Sequence, residues 1–355
     1  MPNDEQKRMS HTWNEIVSQG EAWRKVLEEL GRNAVVTDIL RSSADRRRFI
    51  FLGCGTSYYL AEAAATSWTA LTGHSTRAIA SSEILLFPEM LRTEEQNTYA
   101  VAISRSGRTS ETLRAASVLQ RELKIPTIGI TCEGGSELEA ICERTIVLSD
   151  CGEKSTVMTR SFTGMLLSLE YLASRLSGNS RFVEELRDMA EQFSPKIGVF
   201  AQHIEAFLAQ RSFADFVFLG QGAFHGIARE AALKVMEMSC SYSQAFHTLE
   251  FRHGPKAIVS PVTCITFFLS DAGQNAESEV LTEMKELGGT TICICDRATH
   301  ALTAVSDLVL ETGGKGLAWL APYVVPGQLL GFFVGMAKGL NPDHPKNLTR
   351  VVVLD

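Results

Sequence analysis

Apolar residues in this chain fall into short runs separated by amphipathic stretches. Residues 9–31 place Trp13, Ile16, Trp23, Val26, Leu27 and Leu30 at near-helical spacing before Gly31, which predicts one helix ending there. "RRRFIFLGCGTS" then reads as a basic start, a short strand and a glycine turn, and "TYAVAISRSG" repeats that form. "PTIGITCEGG" and "RTIVLSD" are two further strand-like runs. Helical patterns lie between them at Tyr58–Leu71, Ser110–Glu122 and Ser136–Cys142. Strands alternating with helices predict an α/β fold, with a parallel sheet covered by helices on both faces.

The pattern then recurs. "FVFLGQGAFHG" near residue 220 echoes "FIFLGCGTSYY" near residue 53. "TTICICDRATHALTAVSDLVL" echoes "PTIGITCEGGSELEAICERTIVL". The offset is roughly 165 residues in both cases, about one domain's length, so the chain reads as a duplication. The expected divisions are an N-terminal helical segment (1–48), a first α/β domain (49–200), a second (201–340) and a tail (341–355). Residues 151–210 look mostly helical and join the halves. The copies differ at one turn, where the first has "AISRSGRTSET" and the second "FFLSDAGQNAES".

A chain of 355 residues suits two domains, and 45% hydrophobic with 21% charged residues predicts a folded protein. A net charge of −7 argues against a broad nucleic-acid surface. No apolar run reads as long enough to span a bilayer, and "MPNDEQKRMSHTW" has no apolar core of a signal peptide, so no membrane partner is expected. The eight cysteines form no CxxC pair, and Cys264, Cys293 and Cys295 sit in strand-like runs as buried thiols would. A reducing, cytoplasmic setting follows. The histidines show no metal spacing, so no metal is expected.

Candidate chemistry begins at the turn that the copies do not share. Ser104, Ser106, Thr109 and Ser110 crowd around Gly107, where a strand meets a helix. A helix N-terminus offers unpaired N–H groups and partial positive charge, and short hydroxyl side chains can add donors converging on a phosphate. Simple helix capping is the competing explanation, but a cap needs one hydroxyl. "GCGTS", Gly53–Ser57, is a second such turn; its lone GxG is a weak dinucleotide signal, and position 58 is Tyr. In "REAALKVMEMS", Glu230, Lys234 and Glu237 share one helical face. A surface ion-pair ladder would have this spacing too, yet the flanking residues are apolar, and charges on a buried helix usually face a cavity or a partner. His253, between Arg252 and a Gly-Pro turn, is an acid/base candidate.

"GCGTSYYLAE", "SRSGRTSETL", "EAALKVMEMS", "EFRHGP" and "NPDHPKNLTR", in this order, resemble the sugar isomerase (SIS) family over nearly the whole chain. Order and spacing resemble the isomerase domain of glucosamine-6-phosphate synthase. "MTRSFTGM" and "EFRHGPKAIV" look closer to stand-alone AgaS-like ketose/aldose isomerases and amino-sugar-phosphate deaminases. The resemblance implies two tandem doubly wound, flavodoxin-like SIS domains. It implies a phosphate cup at Ser104, Arg105, Ser106 and Thr109, and sugar contacts at Thr56, Ser57 and Glu153. It places the catalytic helix at Glu230, Lys234 and Glu237, the last shuttling a proton between sugar C1 and C2. His253 falls at the ring-opening histidine, which in the synthase comes from the neighbouring subunit, so a homodimer with shared sites is implied. No cofactor is implied.

Two departures narrow this. The synthase has an N-terminal glutaminase whose nucleophilic Cys follows the initiator Met; this sequence has Pro2 in that place, and no glutaminase activity is expected. The synthase also engages the open-chain sugar with a lysine in its tail, where this sequence has Arg350. Arginine stays protonated and does not readily form an imine. The expected activity is therefore a sugar-phosphate isomerase, foremost an amino-sugar-6-phosphate deaminase/isomerase. A tagatose-6-phosphate-type isomerase, a fructosamine-6-phosphate deglycase and a non-catalytic sugar-phosphate sensor stand as alternatives. The sensor fits less well, since a pure binder needs neither Glu237 nor His253.

Overall fold

A computed structural model describes residues 2–91 and 97–354. The chain opens with four helices: α1 (Asp4–Met9), α2 (His11–Val17), α3 (Gln19–Arg32) and α4 (Ala34–Ser43). The single helix expected over 9–31 is thus divided at Ser10 and Ser18. Ser10 caps α2, its Oγ accepting from Trp13 N. Its hydroxyl is also bound by Asp343, which takes the N–H groups of His11 and Thr12 at 2.9 and 2.7 Å. A carboxylate distant in sequence thus satisfies the first amides of α2, and local periodicity carries no sign of it.

The first sheet follows: β1 (Arg48–Gly53), α5 (Thr56–Thr72), β2 (Ser75–Ala80), α6 (Ser81–Leu86), β3 (Thr98–Ile103), α7 (Ser110–Ser117), β4 (Thr127–Thr131), α8 (Glu137–Ile141) and β5 (Thr145–Val147). All its pairings are parallel, in the order β2-β1-β3-β4-β5. Every residue of β3 and β4 is buried, as expected of strands covered on both faces. The edge strand β2 is half exposed, and its short "STRAIA" does not stand out from a loop. Three helices come next: α9 (Arg160–Ser177), α10 (Ser180–Phe193) and α11 (Lys196–Ala209).

The second sheet repeats the first: β6 (Asp215–Gly220), α12 (Ala223–Ser239), β7 (Tyr242–His247), β8 (Thr263–Phe268), α13 (Gln274–Glu286), β9 (Thr290–Cys295), α14 (His300–Val305), β10 (Leu308–Glu311) and α15 (Leu320–Ala337). Its order, β10-β9-β8-β6-β7, is the same doubly wound arrangement read from the other edge. The duplication reaches into backbone detail. Gly55 precedes α5 at φ 53°, ψ −124°, and Gly222 precedes α12 at φ 57°, ψ −128°. That region is open to glycine and strained for other residues, so both turns need it.

The chain divides into two compact units. One comprises Met1–Gly20, Lys154–Thr159 and Met189–Leu348; the other comprises Glu21–Glu153, Arg160–Asp188 and Thr349–Asp355. Each contains one sheet and its own apolar core.

The expectation that no apolar run could span a bilayer needs correcting. Leu317–Ala337 is long and apolar enough by length and composition. It is a core helix, with 89% of its most apolar window buried within the protein. Glycines four apart let α15 lie close to the α12 backbone. A Cβ on Gly327 would meet Ala231 Cβ at 2.3 Å, one on Gly331 would meet Lys234 O at 2.6 Å, and one on Gly335 would meet Met238 O at 2.2 Å. The neighbouring atoms at Gly331 and Gly335 are backbone and cannot swing aside. Gly331→Ala is therefore expected to destabilise the fold by about 1–3 kcal/mol, and urea unfolding checks it.

Glu170 on α9 is 1% exposed, and neither carboxyl oxygen has a hydrogen-bond partner among the described residues. Burial holds its carboxyl well above the usual range. Because the folded value is raised, the stabilising contribution is complete below the unfolded value and is lost as pH rises through the folded one. Glu170→Gln keeps the shape of the neutral acid. The wild type's melting temperature is expected to fall between about pH 5 and pH 8 more than the variant's; equal slopes in thermal melts would refute this.

Candidate functional site

In an open α/β sheet, ligands bind beyond the carboxyl ends of the strands, where the strand order reverses. In the first sheet that point lies between β1 and β3. The two turns leaving these strands are Gly53–Ser57 and Ser104–Thr109, the two picked out in the sequence. Thr56 and Ser57 open α5 and are 6% and 5% exposed.

The hydroxyl turn is held tightly. Ser104 N donates to Ile130 O at 3.0 Å, and Gly107, at φ 62°, packs against Ser136. Ser104 Oγ lies 3.2 Å from Thr109 Oγ1, and Ser106 Oγ accepts from Arg108 N at 3.2 Å. Ser104 and Ser106 are 1% and 3% exposed. Capping does not account for the cluster: Thr109 occupies the N-cap of α7, and its side chain makes no capping bond.

Arg105 turns elsewhere. Its guanidinium lies 3.3 Å from Glu153 and donates to Arg350 O at 3.1 Å. Its own carbonyl accepts from Thr131 Oγ1 and Cys132 N. Glu153 also takes the N–H and hydroxyl of Ser161 at the start of α9. The sequence reading missed Ser161, although it lies within the quoted "MTRSFTGM".

The tail joins the same unit. Arg350 Nη2 lies 2.8 Å from Glu133, Val352 O accepts from Ser110 N at 3.3 Å, and Leu354 N donates to Ser110 Oγ at 2.9 Å. One of the amides left open at the α7 N-terminus is thus covered by the tail. The structure brings Ser104, Arg105, Ser106, Thr109, Glu153 and Arg350 into one linked set of turns.

The corresponding turn of the second sheet differs in kind. Between β8 and α13, the Glu277 carboxylate accepts from both Ser270 N and Ser270 Oγ, at 2.7 and 2.9 Å, and is 1% exposed. Burial pushes this carboxyl up although the Ser270 bonds pull it down. Where the first copy offers hydroxyl groups, the second fills the turn with a carboxyl group of its own.

The other predicted residues belong to the second sheet's unit. On α12, Glu230 and Lys234 are fully buried, with Lys234 Nζ 3.3 Å from Glu230. The same ammonium pairs with Glu237, whose side chain keeps 18% exposure. Burial opposes the charge on Lys234, but the two carboxylates outweigh it and hold its pKa above the usual value. The arrangement is one buried cation between two carboxylates, of which Glu237 is the one that reaches the surface.

His253 follows a short turn at Glu250–Arg252 and is exposed. Its neighbours are gripped by Glu283 of α13, which lies 2.7 Å from Arg252 Nε and 2.5 Å from Lys256 Nζ. Glu283 is a further residue the sequence did not reveal, since its partners lie about one loop and one strand away in the chain.

Two doubly wound sheets, with a hydroxyl-lined turn at the switch point of the first and a buried charged helix in the second, define an α/β protein of the phosphosugar-isomerase kind. The chain belongs to the SIS domain family, which matches residues 43–175 and 214–314, one stretch over each sheet. It is 30% identical to the solved glucosamine-6-phosphate deaminase of Thermotoga maritima, with 97% of this chain and 100% of that one covered and a TM-score of 0.77. The tagatose-6-phosphate ketose/aldose isomerase of Escherichia coli shares the fold, with a TM-score of 0.81 at 20% identity over 96% of this chain and 98% of that one. Glutamine–fructose-6-phosphate aminotransferase (isomerizing) of Legionella pneumophila is 29% identical over 98% of this chain. The chain spans 62% of that relative's length, and 58% of the corresponding Streptococcus pneumoniae protein, to which it is 26% identical over 96% of its own length.

Proposed function

We propose that this protein is a sugar-phosphate aldose/ketose isomerase acting on a hexosamine 6-phosphate, with release of ammonia and formation of the ketose 6-phosphate. The observation that carries this reading is the α12 triad, in which buried Lys234 bridges Glu230 and Glu237 and only Glu237 retains exposure. The amino-sugar preference is supported by the 30% identity to the Thermotoga deaminase along nearly the whole chain.

The substrate phosphate sits among the hydroxyls of Ser104, Ser106 and Thr109 at the start of α7. Arg105 acts there as a brace, holding Glu153 and the tail backbone, while Thr56 and Ser57 contact the sugar. His253 assists ring opening. Glu237 removes the proton from C2 of the open-chain amino sugar and returns it to C1 through an enolamine. Water then attacks the resulting C2 imine, and ammonia leaves. Lys234, buried between Glu230 and Glu237, pairs with both and holds Glu237 in place on its face of α12. No redox or cofactor step is needed for this proton transfer. Arg350 contributes binding only, since its guanidinium does not give up a proton to form an imine. The setting is cytoplasmic, where sugar phosphates occur.

A panel of sugar 6-phosphates, scored separately for ammonia and for ketose, tests the reading. Ammonia with ketose from a hexosamine 6-phosphate is expected. Ketose without ammonia would replace the deaminase by a plain isomerase, a fructosamine 6-phosphate as the sole ammonia source would indicate a deglycase, and tight binding without turnover would indicate a sensor.

The active form is a homodimer in which His253 completes the partner's site; its exposure in the single chain is in keeping with this. Light scattering is expected to give a dimer at micromolar concentration, and a monomer with full activity would overturn it.

A further inference from the structure

The segment that presents His253 is tied down at two points, neither of which belongs to the chemistry proposed above. The first point is a histidine pair. His225 lies in the opening turn of α12, and its ring stacks on that of His247, the last residue of β7, with centroids 3.7 Å apart and planes 15° from parallel. The second point is Glu283, whose two oxygens bind Arg252 and Lys256 on either side of His253. Between them the chain runs through two short turns hinged on Gly254, at φ 124°.

We propose that the His225–His247 stack and the Glu283 clamp form a two-point latch that holds the His253 segment rigidly on α12 and α13 of its own chain, so that His253 is presented in one fixed place to the site it completes. His225 precedes Glu230 by a little over one helical turn on the same rigid element. A stack on its ring therefore fixes the start of the His253 segment against α12 itself. The clamp fixes the far side against α13. Such residues act through His253 and are positioning residues, in the sense that small displacements of a reacting group cost much of its effect.

The charge states suit this role. The groups around His225 are His247 of β7 and Arg229 of its own helix, both basic. Burial, then these neighbours, lowers the His225 pKa to about 4, so its ring is neutral through the physiological range. Glu283 faces Lys256 and Arg252, which lower its carboxyl below the usual range and keep it charged in mild acid. Glu279, also on α13, approaches Arg252 at 3.9 Å and adds to the negative side of the clamp. Acid reverses both states: a charged His225 is repelled by Arg229, and a neutral Glu283 releases Arg252 and Lys256. The latch is closed at neutral pH and opens in acid.

This inference rests on the reading of His253 as a reacting group, so its test needs a readout besides activity. Hydrogen–deuterium exchange over residues 248–258 would be followed in wild type, His225→Ala, His225→Phe and Glu283→Gln, together with turnover across pH. His225→Ala and Glu283→Gln are expected to speed exchange in that segment and to lower kcat by about tenfold or more, with KM little changed. His225→Phe keeps a flat neutral ring; it is expected to restore protection and turnover at neutral pH and to lose less activity in acid. Wild-type exchange in both His225→Ala and Glu283→Gln, or unchanged kcat in both, would overturn the latch. Wild-type protein that turns over no sugar phosphate would overturn the isomerase reading instead, and faster exchange in the variants would still uphold the latch.

Discussion

Glu237→Gln is expected to lower turnover by at least about 10²-fold while sugar-phosphate binding survives. The change keeps size and hydrogen-bonding shape and removes basicity. A proton moving between adjacent carbons needs one group that accepts it and gives it back, and a carboxylate can do both. The alternative on the same face is Glu230, but its side chain is fully buried, whereas Glu237 retains 18% exposure. Exchange of the C2 hydrogen with deuterated water separates the two. Loss of exchange in Glu237→Gln, with a slow residual rate in Glu230→Gln, is the expected pattern. Exchange that persists in Glu237→Gln and vanishes in Glu230→Gln would reverse the assignment. Glu230→Gln is also expected to destabilise the fold, because Lys234, buried beside it, loses one of its two carboxylates.

The second large effect is expected at the hydroxyl turn. Ser104→Ala combined with Ser106→Ala removes two donors from the proposed phosphate cup. Hydrogen bonds to a charged group contribute roughly 1.5–3 kcal/mol each, so the dissociation constant for a sugar phosphate should rise at least about tenfold, and by about 10²-fold or more if the two act independently. Stability should change little, since the Ser104 hydroxyl meets Thr109 and the Ser106 hydroxyl accepts from the amide of Arg108, both within the turn itself. Unchanged binding with a lost fold would mean that the hydroxyls serve the turn and no ligand. Titration calorimetry with thermal melts on the same samples decides it.

Much of this was legible in the sequence. Buried parallel strands leave continuous apolar runs, so β1, β3, β4, β6 and β9 could be read directly. Duplication was visible because both copies keep the same glycine turn before a helix of 17 residues. The spacing of Glu230, Lys234 and Glu237 fixed their common face, because helical geometry is local. The edge strands β2 and β7 were not legible: each has one flank open to solvent, so neither needs an unbroken apolar run. The glycine stripe of α15 was present at every fourth residue, yet its meaning depends on what packs there.

What the sequence determined by itself is what depends on residues close together in the chain: helix faces, buried strands, glycine turns and the crowding of hydroxyls at one of them. Tertiary structure alone decided which partner each charge would find. Arg105 stands in the middle of the hydroxyl motif, yet its guanidinium reaches Glu153 and the backbone of Arg350. Asp343 ends up on the amides of α2, and Glu283 on the two cations beside His253. A periodic pattern records only whether a side chain faces the core or water. A charged group's partner is set by which distant segment the fold brings within about 3–4 Å, where the interaction becomes strong, and no local pattern encodes that distance.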